Sequence, residues 1–169
     1  MLVSAPAGYG KSTLVSQWLE MRDGARAWVS LDPTESNLVE FVRYLTAAIV
    51  EALPGACPVT SDQLRAGAAV PESVLKRTFL NELAWISTPI TIVLDDYHRI
   101  ETKSSVHSVL GEFLERPSGE VLLVLVTRRD PPLQVAALRG AGRLIEIRLE
   151  DLHRHLPVVL QVLGQIDGG

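Results

Sequence analysis

Two patterns of apolar residues alternate along the chain. Short continuous apolar runs are typical of buried strands, and they are separated by segments in which apolar residues recur every three or four positions, as on one face of a helix. The runs are MLVSA at 1–5, ARAWVSLD at 25–32, ITIVLDD at 90–96 and VLLVLVTRRD at 121–130. The last two show no polar alternation, so we predict that they are central parallel strands covered on both faces.

A fifth run, RLIEIRLEDL at 143–152, alternates between apolar and charged residues. This alternation predicts a strand with one wetter face, which we place at an edge of the sheet. Just before it, Asp130-Pro131-Pro132 combines an N-cap residue with proline in the first turn and predicts the start of a helix.

Helical spacing occurs in four other segments. Asn37 is the predicted N-cap of the second helix, the third runs from Glu72 to Ile86, and the segment from Pro54 to Pro71, rich in Pro, Gly and Ala, predicts a loop. The apolar positions of the four helices are Leu14, Val15, Trp18 and Leu19; Leu38, Phe41, Val42, Leu45, Ile49 and Leu53; Leu75, Phe79, Leu83 and Ile86; and Val106, Val109, Leu110, Phe113 and Leu114. The order βαβααβαβαβ is typical of a three-layer, doubly wound α/β fold with a parallel sheet, in which ligands bind at the carboxyl ends of the strands.

Composition narrows the class of protein. The chain has 169 residues, of which 47% are hydrophobic and 21% charged, enough for one domain with a substantial core. Its net charge of −4 argues against direct contact with nucleic acid or an anionic membrane. No apolar run approaches the roughly 20 residues of a membrane span, no signal peptide is visible, and one cysteine, Cys57, cannot form an internal disulfide. We therefore predict a cytoplasmic location.

The residues between the first strand and the first helix, SAPAGYGKST at 4–13, end as phosphate-binding loops end. The usual pattern, G-x-x-x-x-G-K-[ST], has glycine where this chain has Ala5. Gly8 and Gly10 still supply the backbone freedom that a nest of inward-turned N–H groups requires. The predicted nucleotide-binding residues are Ala7, Gly8, Tyr9, Gly10, Lys11, Ser12 and Thr13.

Within this loop, Lys11 is expected to reach the β- and γ-phosphates, and the Ser12 hydroxyl to ligate Mg²⁺. The alternative is an ordinary glycine-rich turn with a solvated lysine. A predicted strand before the loop and a predicted helix after it favour the nucleotide site.

The strand at 90–96 ends in two acidic residues, Asp95 and Asp96. A carboxylate at the tip of a central strand beside a phosphate loop can hold Mg²⁺, and we assign that role to Asp95. Asp96 is the candidate that orients the attacking water, although a helix cap or a supporting hydrogen-bond acceptor remains an alternative. His98 is more simply a structural hydrogen-bonding residue.

The next strand ends in Thr127-Arg128-Arg129-Asp130 and therefore reaches the same rim of the sheet. Arg128 is the candidate that contacts the γ-phosphate and senses its presence, whereas Arg129 reads as a solvated surface charge. The three tryptophans, Trp18, Trp28 and Trp85, lie in apolar patterns and are interpreted as core or domain-contact residues.

Taken together, these stretches resemble the nucleotide-binding domain of the MalT-like, LuxR-type bacterial transcriptional activators, a branch of the STAND class of signalling ATPases. The resemblance rests on LVSAPAGYGKSTLVSQWL, WVSLDPTESNLVEFVRYLTAAI, IVLDDYHRI, LLVLVTRRDPPL and LRGAGRLIEIRLEDL, which occur in the family's order over most of residues 2–152. In that family alanine commonly replaces the first glycine of the loop.

The resemblance implies a P-loop NTPase fold with strand order 5-1-4-3-2, with Lys11 and Ser12 as Walker A, Asp95 and Asp96 as Walker B and Arg128 as the arginine sensor. It also implies ATP or ADP with Mg²⁺ as ligands, and self-association through this domain. DNA contact would come from a C-terminal helix-turn-helix region that this chain lacks. On this interpretation residues 1–152 form the NTPase domain, 153–169 a C-terminal tail, and the chain is a fragment truncated at both ends.

Three functions remain open at this point. The first is an ATP-binding, slowly hydrolysing switch domain of a transcriptional regulator, and the second is a truncated, non-catalytic nucleotide-binding or interaction module. A small-molecule kinase also uses a P-loop and Mg²⁺, but it would need an arginine-rich lid, and the segment from Pro54 to Pro71 contains only Arg65.

Overall fold

The computed structural model describes residues 1–66 and 70–153 of the chain. In chain order the elements are β1 (Leu2–Ser4), α1 (Lys11–Glu20), β2 (Ala25–Ser30), α2 (Leu38–Ala52), α3 (Pro58–Arg65), α4 (Glu72–Ala84), β3 (Ile90–Asp95), α5 (Val106–Glu115), β4 (Val121–Thr127), α6 (Val135–Gly140), β5 (Glu146–Arg148) and α7 (Leu149–His153), with short 3₁₀ turns at Pro33–Ser36 and Tyr97–Arg99. Apart from residue 153, the predicted C-terminal tail lies outside the described residues.

All five strands pair in parallel in the order β2-β3-β4-β1-β5. This order, read from the other edge, is 5-1-4-3-2, so the predicted α/β P-loop NTPase fold is confirmed. β3 and β4 are internal strands and β5 is an edge strand, as the apolar patterns predict.

Successive residues of the central strands pack on opposite faces of the sheet, as the two-residue period of a strand requires. Ile92 and Leu94 belong to one buried cluster, with side chains of α2, α4 and α5, whereas Val93 belongs to a second cluster with α1. Each of these three strand residues is at most 2% exposed. The continuous apolar runs are thus explained by helices on both faces.

The predicted N-cap of α2 is confirmed. The Asn37 side-chain oxygen accepts hydrogen bonds from the backbone N–H groups of Val39 at 2.9 Å and Glu40 at 3.3 Å. These bonds satisfy two of the donors that every helix leaves unpaired at its start.

The predicted loop between Pro54 and Pro71 is wrong in part, because α3 occupies Pro58–Arg65. The N-cap residue of this helix, Cys57, has a positive φ of 49° and makes no side-chain capping bond. The cap comes instead from α4: the Glu82 carboxylate accepts hydrogen bonds from the backbone N–H groups of Val59 at 2.8 Å and Thr60 at 2.9 Å. A helix stabilised from a distant residue leaves little local signal in the sequence.

Replacing Glu82 with alanine is expected to lower the free energy of unfolding by about 1–2 kcal/mol, because two N–H groups at the start of α3 lose their charged acceptor. Urea denaturation measures the loss. Glu51→Ala, which removes an exposed carboxylate from α2, is the matched control. Equal losses in the two variants would show that Glu82 does not act as a cap.

Three predicted boundaries need correction. The helix predicted to start at Asp130 begins at Val135, because the Asp130 carboxylate pairs with the Arg148 guanidinium and does not cap. The strand predicted over 143–152 ends at Arg148, whose backbone N–H is bound by the Asp151 carboxylate at 2.8 Å, so that α7 starts directly after it. α4 ends at Ala84, two residues earlier than predicted.

Candidate functional site

The carboxyl ends of the parallel strands meet at one rim of the sheet, and the predicted site residues lie there. Ser4 at the end of β1 is in register with Thr127 of β4 and Arg148 of β5. β3, which ends at Asp95, lies on the other side of β4. The rim is therefore formed by residues that are far apart in the sequence.

The loop from β1 to α1 has the backbone geometry of an anion nest. Gly8 and Gly10 have φ values of 84° and 70°, in the left-handed region that glycine adopts without strain. Gly10 is the N-cap residue of α1, so the partial positive charge of the helix N-terminus faces this loop. Ala5 is buried and does not have a positive φ, so a methyl group at this position costs no backbone strain.

Lys11 begins α1 and is only 8% exposed. Its Nζ donates a hydrogen bond to the backbone oxygen of Pro6 at 2.9 Å, so the ammonium group is held against the loop. Burial lowers the Lys11 pKa, as does the positive charge of Arg128, whereas Asp95 and Asp96 raise it. The fold thus brings Lys11 within electrostatic range of the three candidate residues on β3 and β4. Ser12 and Thr13 follow at exposed positions.

The two acids at the end of β3 have different surroundings. One Asp95 oxygen accepts a hydrogen bond from the backbone N–H of Asp96 at 2.8 Å. Asp96 has a positive φ of 55°, and its carboxylate lies 3.5 Å from Arg99 Nε and 3.7 Å from His98 Nδ1. Arg99 of the following 3₁₀ turn therefore forms an ion pair with Asp96, whose side chain makes no capping bond, whereas His98 Nδ1 has no hydrogen-bond partner within the described residues.

Arg128 and Arg129, which follow β4, have different surroundings. Arg128 is exposed and lies close enough to lower the pKa of both Lys11 and His98 by its charge. Arg129 is not simply solvated as predicted, because its Nη2 donates to the backbone oxygen of His98 at 3.2 Å. This bond links the loop after β4 to the turn after β3.

A network of charged side chains on β5 and α6 was not predicted from the sequence. The Arg148 guanidinium contacts the carboxylates of Asp130 and Glu146, and Arg139 Nε lies 2.6 Å from Glu146 Oε1. A hydrogen bond from Arg139, followed by hydrogen bonds and charge from Arg148, lowers the pKa of Glu146 to about 2. The alternation of Glu146 and Arg148 is the one local signal of this network; the pairing with Asp130 is set by the tertiary structure.

The oxygen donors at the rim suit Mg²⁺ better than a softer metal. Ser12 offers an exposed hydroxyl, and Asp95 offers a carboxylate of which one oxygen is engaged by a single N–H group. Mg²⁺ is commonly held by one or two such oxygens together with phosphate and water. In the described residues no group of three or more His, Cys, Asp or Glu side chains could hold a metal by itself.

Beside the rim, the buried Tyr97 and the half-buried His107 form a pair with a defined tautomer. His107 Nε2 lies 2.9 Å from the Glu101 backbone oxygen and carries the proton, so Nδ1 accepts the bond from the Tyr97 hydroxyl at 2.6 Å. Burial lowers the pKa of His107 below its ordinary value of 6.5, against the effect of the Glu101 hydrogen bond. Burial also lowers the pKa of His98, although Asp96 raises it.

The free energy of unfolding should therefore fall as the pH drops below about 6.5, because the histidines of the unfolded chain bind protons at a pH at which the folded histidines stay neutral. The slope should be at most ~1.4 kcal/mol per pH unit for each histidine. The loss should level off below the folded pKa values. Urea denaturation between pH 7.5 and 5 measures it, above the range in which Glu146 titrates. His107→Gln, which keeps an acceptor for Tyr97, should flatten the slope. An unchanged slope would contradict the assignment to His107.

Comparison with known proteins supports the fold. No family model matches the chain. Cdc6p from Pyrobaculum aerophilum is similar in structure, with a TM-score of 0.54 and 16% sequence identity over 87% of this chain and 38% of that protein. The Orc1 protein from Aeropyrum pernix, solved in complex with DNA, has a TM-score of 0.50 and 15% identity over 87% of this chain and 38% of its own.

The chain thus spans well under half the length of these structures. At such identities the likeness establishes the P-loop NTPase-like fold alone. Within residues 1–66 and 70–153, no helix has both the length and the apolar character needed to cross a membrane.

Proposed function

We propose that the chain is an ATP-binding, slowly hydrolysing switch domain of a bacterial transcriptional regulator of the LuxR/MalT type. The observation that supports this most is the convergence at one rim of four charged residues: Lys11 from the glycine loop, Asp95 and Asp96 from β3, and Arg128 from β4. The charges of Asp95, Asp96 and Arg128 each act on the Lys11 pKa, and this supports the proposal that the four residues serve one site.

Each residue has a role in this proposal. The N–H groups of residues 7–13 cradle the phosphates, Lys11 neutralises the β- and γ-phosphate charge, and Ser12 and Asp95 hold Mg²⁺. Bound Mg²⁺ would supply further neutralisation of the charge that develops on the phosphate oxygens. Asp96 orients the water that attacks the γ-phosphorus, and Arg128 distinguishes ATP from ADP by contacting the γ-phosphate.

The pairing of Asp96 with Arg99 supports slow turnover, because the carboxylate must exchange this partner for water. The same pairing favours the second candidate, a module that binds nucleotide without hydrolysing it. The proposal also includes self-association through this domain, a cytoplasmic location and DNA contact through another domain of the regulator.

Nucleotide binding is tested by the melting temperature of the chain. ATP or ADP with Mg²⁺ at about 100 times its dissociation constant should stabilise the fold by ~2.7 kcal/mol, a rise of roughly 5–10 °C for a domain of this size. The absence of any rise with either nucleotide would contradict both candidate functions.

Phosphate release then separates the two candidates. Under the first candidate function, Asp96→Asn should bind ATP as tightly as the unmodified chain. Its rate of phosphate release should be lower by a factor of about 10² or more. Equal release from the two proteins, together with intact binding, would favour the non-catalytic module.

A further inference from the structure

A cavity of about 230 Å³ lies between the turn that follows β3 and the loop that follows β4. None of the predicted nucleotide-binding residues at 7–13 lines it, and neither Asp95 nor Arg128 does. Crevices outside the carboxyl ends of parallel strands are where α/β folds bind small molecules. The position is therefore suited to a ligand other than the nucleotide.

The inner wall of this cavity is largely apolar. Tyr97 and Ile100 form its base at 1% and 2% exposure, and Pro131 and Pro132 add apolar surface, of which that of Pro132 is exposed. The Tyr97 hydroxyl and both nitrogens of His107 are engaged with each other or with the Glu101 backbone oxygen. His98 also lines the cavity, and its buried Nδ1 has no hydrogen-bond partner within the described residues, so the wall offers a ligand one polar atom beside its apolar surface.

One cationic side chain, Arg129, lines the cavity from the β4 side. It uses Nη2 for the bond to the His98 backbone oxygen, and a guanidinium has further N–H groups that suit a carboxylate. Asp130 also lines the cavity, but its two carboxylate oxygens both face the Arg148 guanidinium. Asp130 is thus neutralised locally, and the cavity retains the positive charge of Arg129.

We propose that this cavity binds a small carboxylate with an apolar body, its carboxylate on Arg129 and its body against Tyr97 and Ile100. At the ~30 Å³ that a water molecule occupies in the liquid, the volume has room for roughly eight non-hydrogen atoms or slightly more. Thr102 lines the mouth at an exposed position and offers a hydroxyl to the same carboxylate.

Titration of the ¹⁵N-labelled full chain with sodium benzoate tests the proposal. Saturable shifts are expected for the backbone amides of Thr102, His107 and Arg129, with a dissociation constant in the millimolar range or below, as a ligand of this size permits. Arg129→Met should weaken binding by about tenfold or more, since a charge-assisted hydrogen bond is lost. Thr102→Trp, which narrows the mouth from an exposed position, should also weaken it.

The matched control is Arg65→Met, which removes an exposed arginine on α3 whose partner is Asp62. It should bind benzoate as the unmodified chain does. Benzyl alcohol, which keeps the ring but lacks the carboxylate, should bind at least about tenfold more weakly than benzoate.

Four results would overturn the proposal: no saturable shift at about 50 mM benzoate, shifts confined to Gly8 and Gly10, undiminished binding to Arg129→Met, or equal binding of benzyl alcohol. Shifts at the two glycines would mean that the carboxylate occupies the anion nest. Because the titration contains no nucleotide, its failure leaves the proposed ATP-binding function untouched.

Discussion

Replacing Lys11 with alanine is expected to abolish the rise in melting temperature that ATP or ADP with Mg²⁺ produces. The ammonium group is held at the start of α1, against the loop that is proposed to bind the phosphates. The chain has two other lysines, Lys76 and Lys103, and neither can replace Lys11. Lys76 is paired with Glu112 on α5, and Lys103 lies in the exposed segment before α5. The dissociation constant should increase by about 10²-fold or more, equivalent to ~2.7 kcal/mol of lost phosphate interaction.

The cost to the nucleotide-free protein should be much smaller. Lys11→Ala removes one hydrogen bond, to the Pro6 backbone oxygen, which is worth about 1–2 kcal/mol to the folded state. Melting curves with and without nucleotide separate this loss of stability from the loss of binding. The melting temperature of each protein with nucleotide is then compared with its own melting temperature without nucleotide.

Lys103→Ala is the matched control, since it removes the same charge from an exposed position outside the glycine loop. It should keep the full nucleotide-induced rise. An equal rise in Lys11→Ala and the unmodified chain would contradict the assignment of the phosphate site to the glycine loop.

Much of the fold follows from the sequence because its causes are local. The runs at 90–96 and 121–130 are apolar at their buried positions except Thr91 and Thr127, and both are internal strands. Asn37 caps α2 through bonds to residues only two and three positions away. Local patterns of this kind predict secondary structure without knowledge of the tertiary structure.

The grouping of the candidate residues follows from the sequence for a different reason. In a parallel sheet the ends of the strands meet at one rim, so residues that follow strands are brought together by topology alone. The charges of Asp95, Asp96 and Arg128 all act on the Lys11 pKa, in agreement with this expectation. Their chemical roles remain predictions.

What the sequence could not provide depends on distant partners. α3 is capped by Glu82, more than twenty positions away, and Asp130 is bound by Arg148, eighteen positions away. The Arg99 guanidinium turns towards Asp96 within a 3₁₀ turn that no apolar periodicity marks. The last of these contacts decides how free the Asp96 carboxylate is, and therefore bears on the proposed turnover.

Two tryptophans show that the burial of a side chain also depends on tertiary structure that the local sequence does not reveal. Trp18 on α1 is 1% exposed and packs in the cluster that contains Val93 and Val124, whereas Trp85 at the end of α4 is 85% exposed. Of the two interpretations of Trp85, the core position is therefore wrong, because the residue follows the last residue of α4 and does not lie on the buried face; the domain contact stays a prediction. The sequence alone treated the two residues alike.

Trp18→Ala is expected to lower the free energy of unfolding by about 3–5 kcal/mol, a large share of the total for a domain of this size. α1 covers its face of the sheet through Trp18, with Leu14 and Val15, so the substitution leaves a cavity directly beneath the helix that begins at Lys11. Trp85→Ala removes the same side chain from an exposed position and should change stability by no more than about 0.5 kcal/mol. Urea denaturation of both variants gives the comparison, and similar losses in the two would show that α1 does not depend on Trp18. Because the loop and α1 are continuous, Trp18→Ala should also weaken nucleotide binding, whereas Trp85→Ala should leave it unchanged.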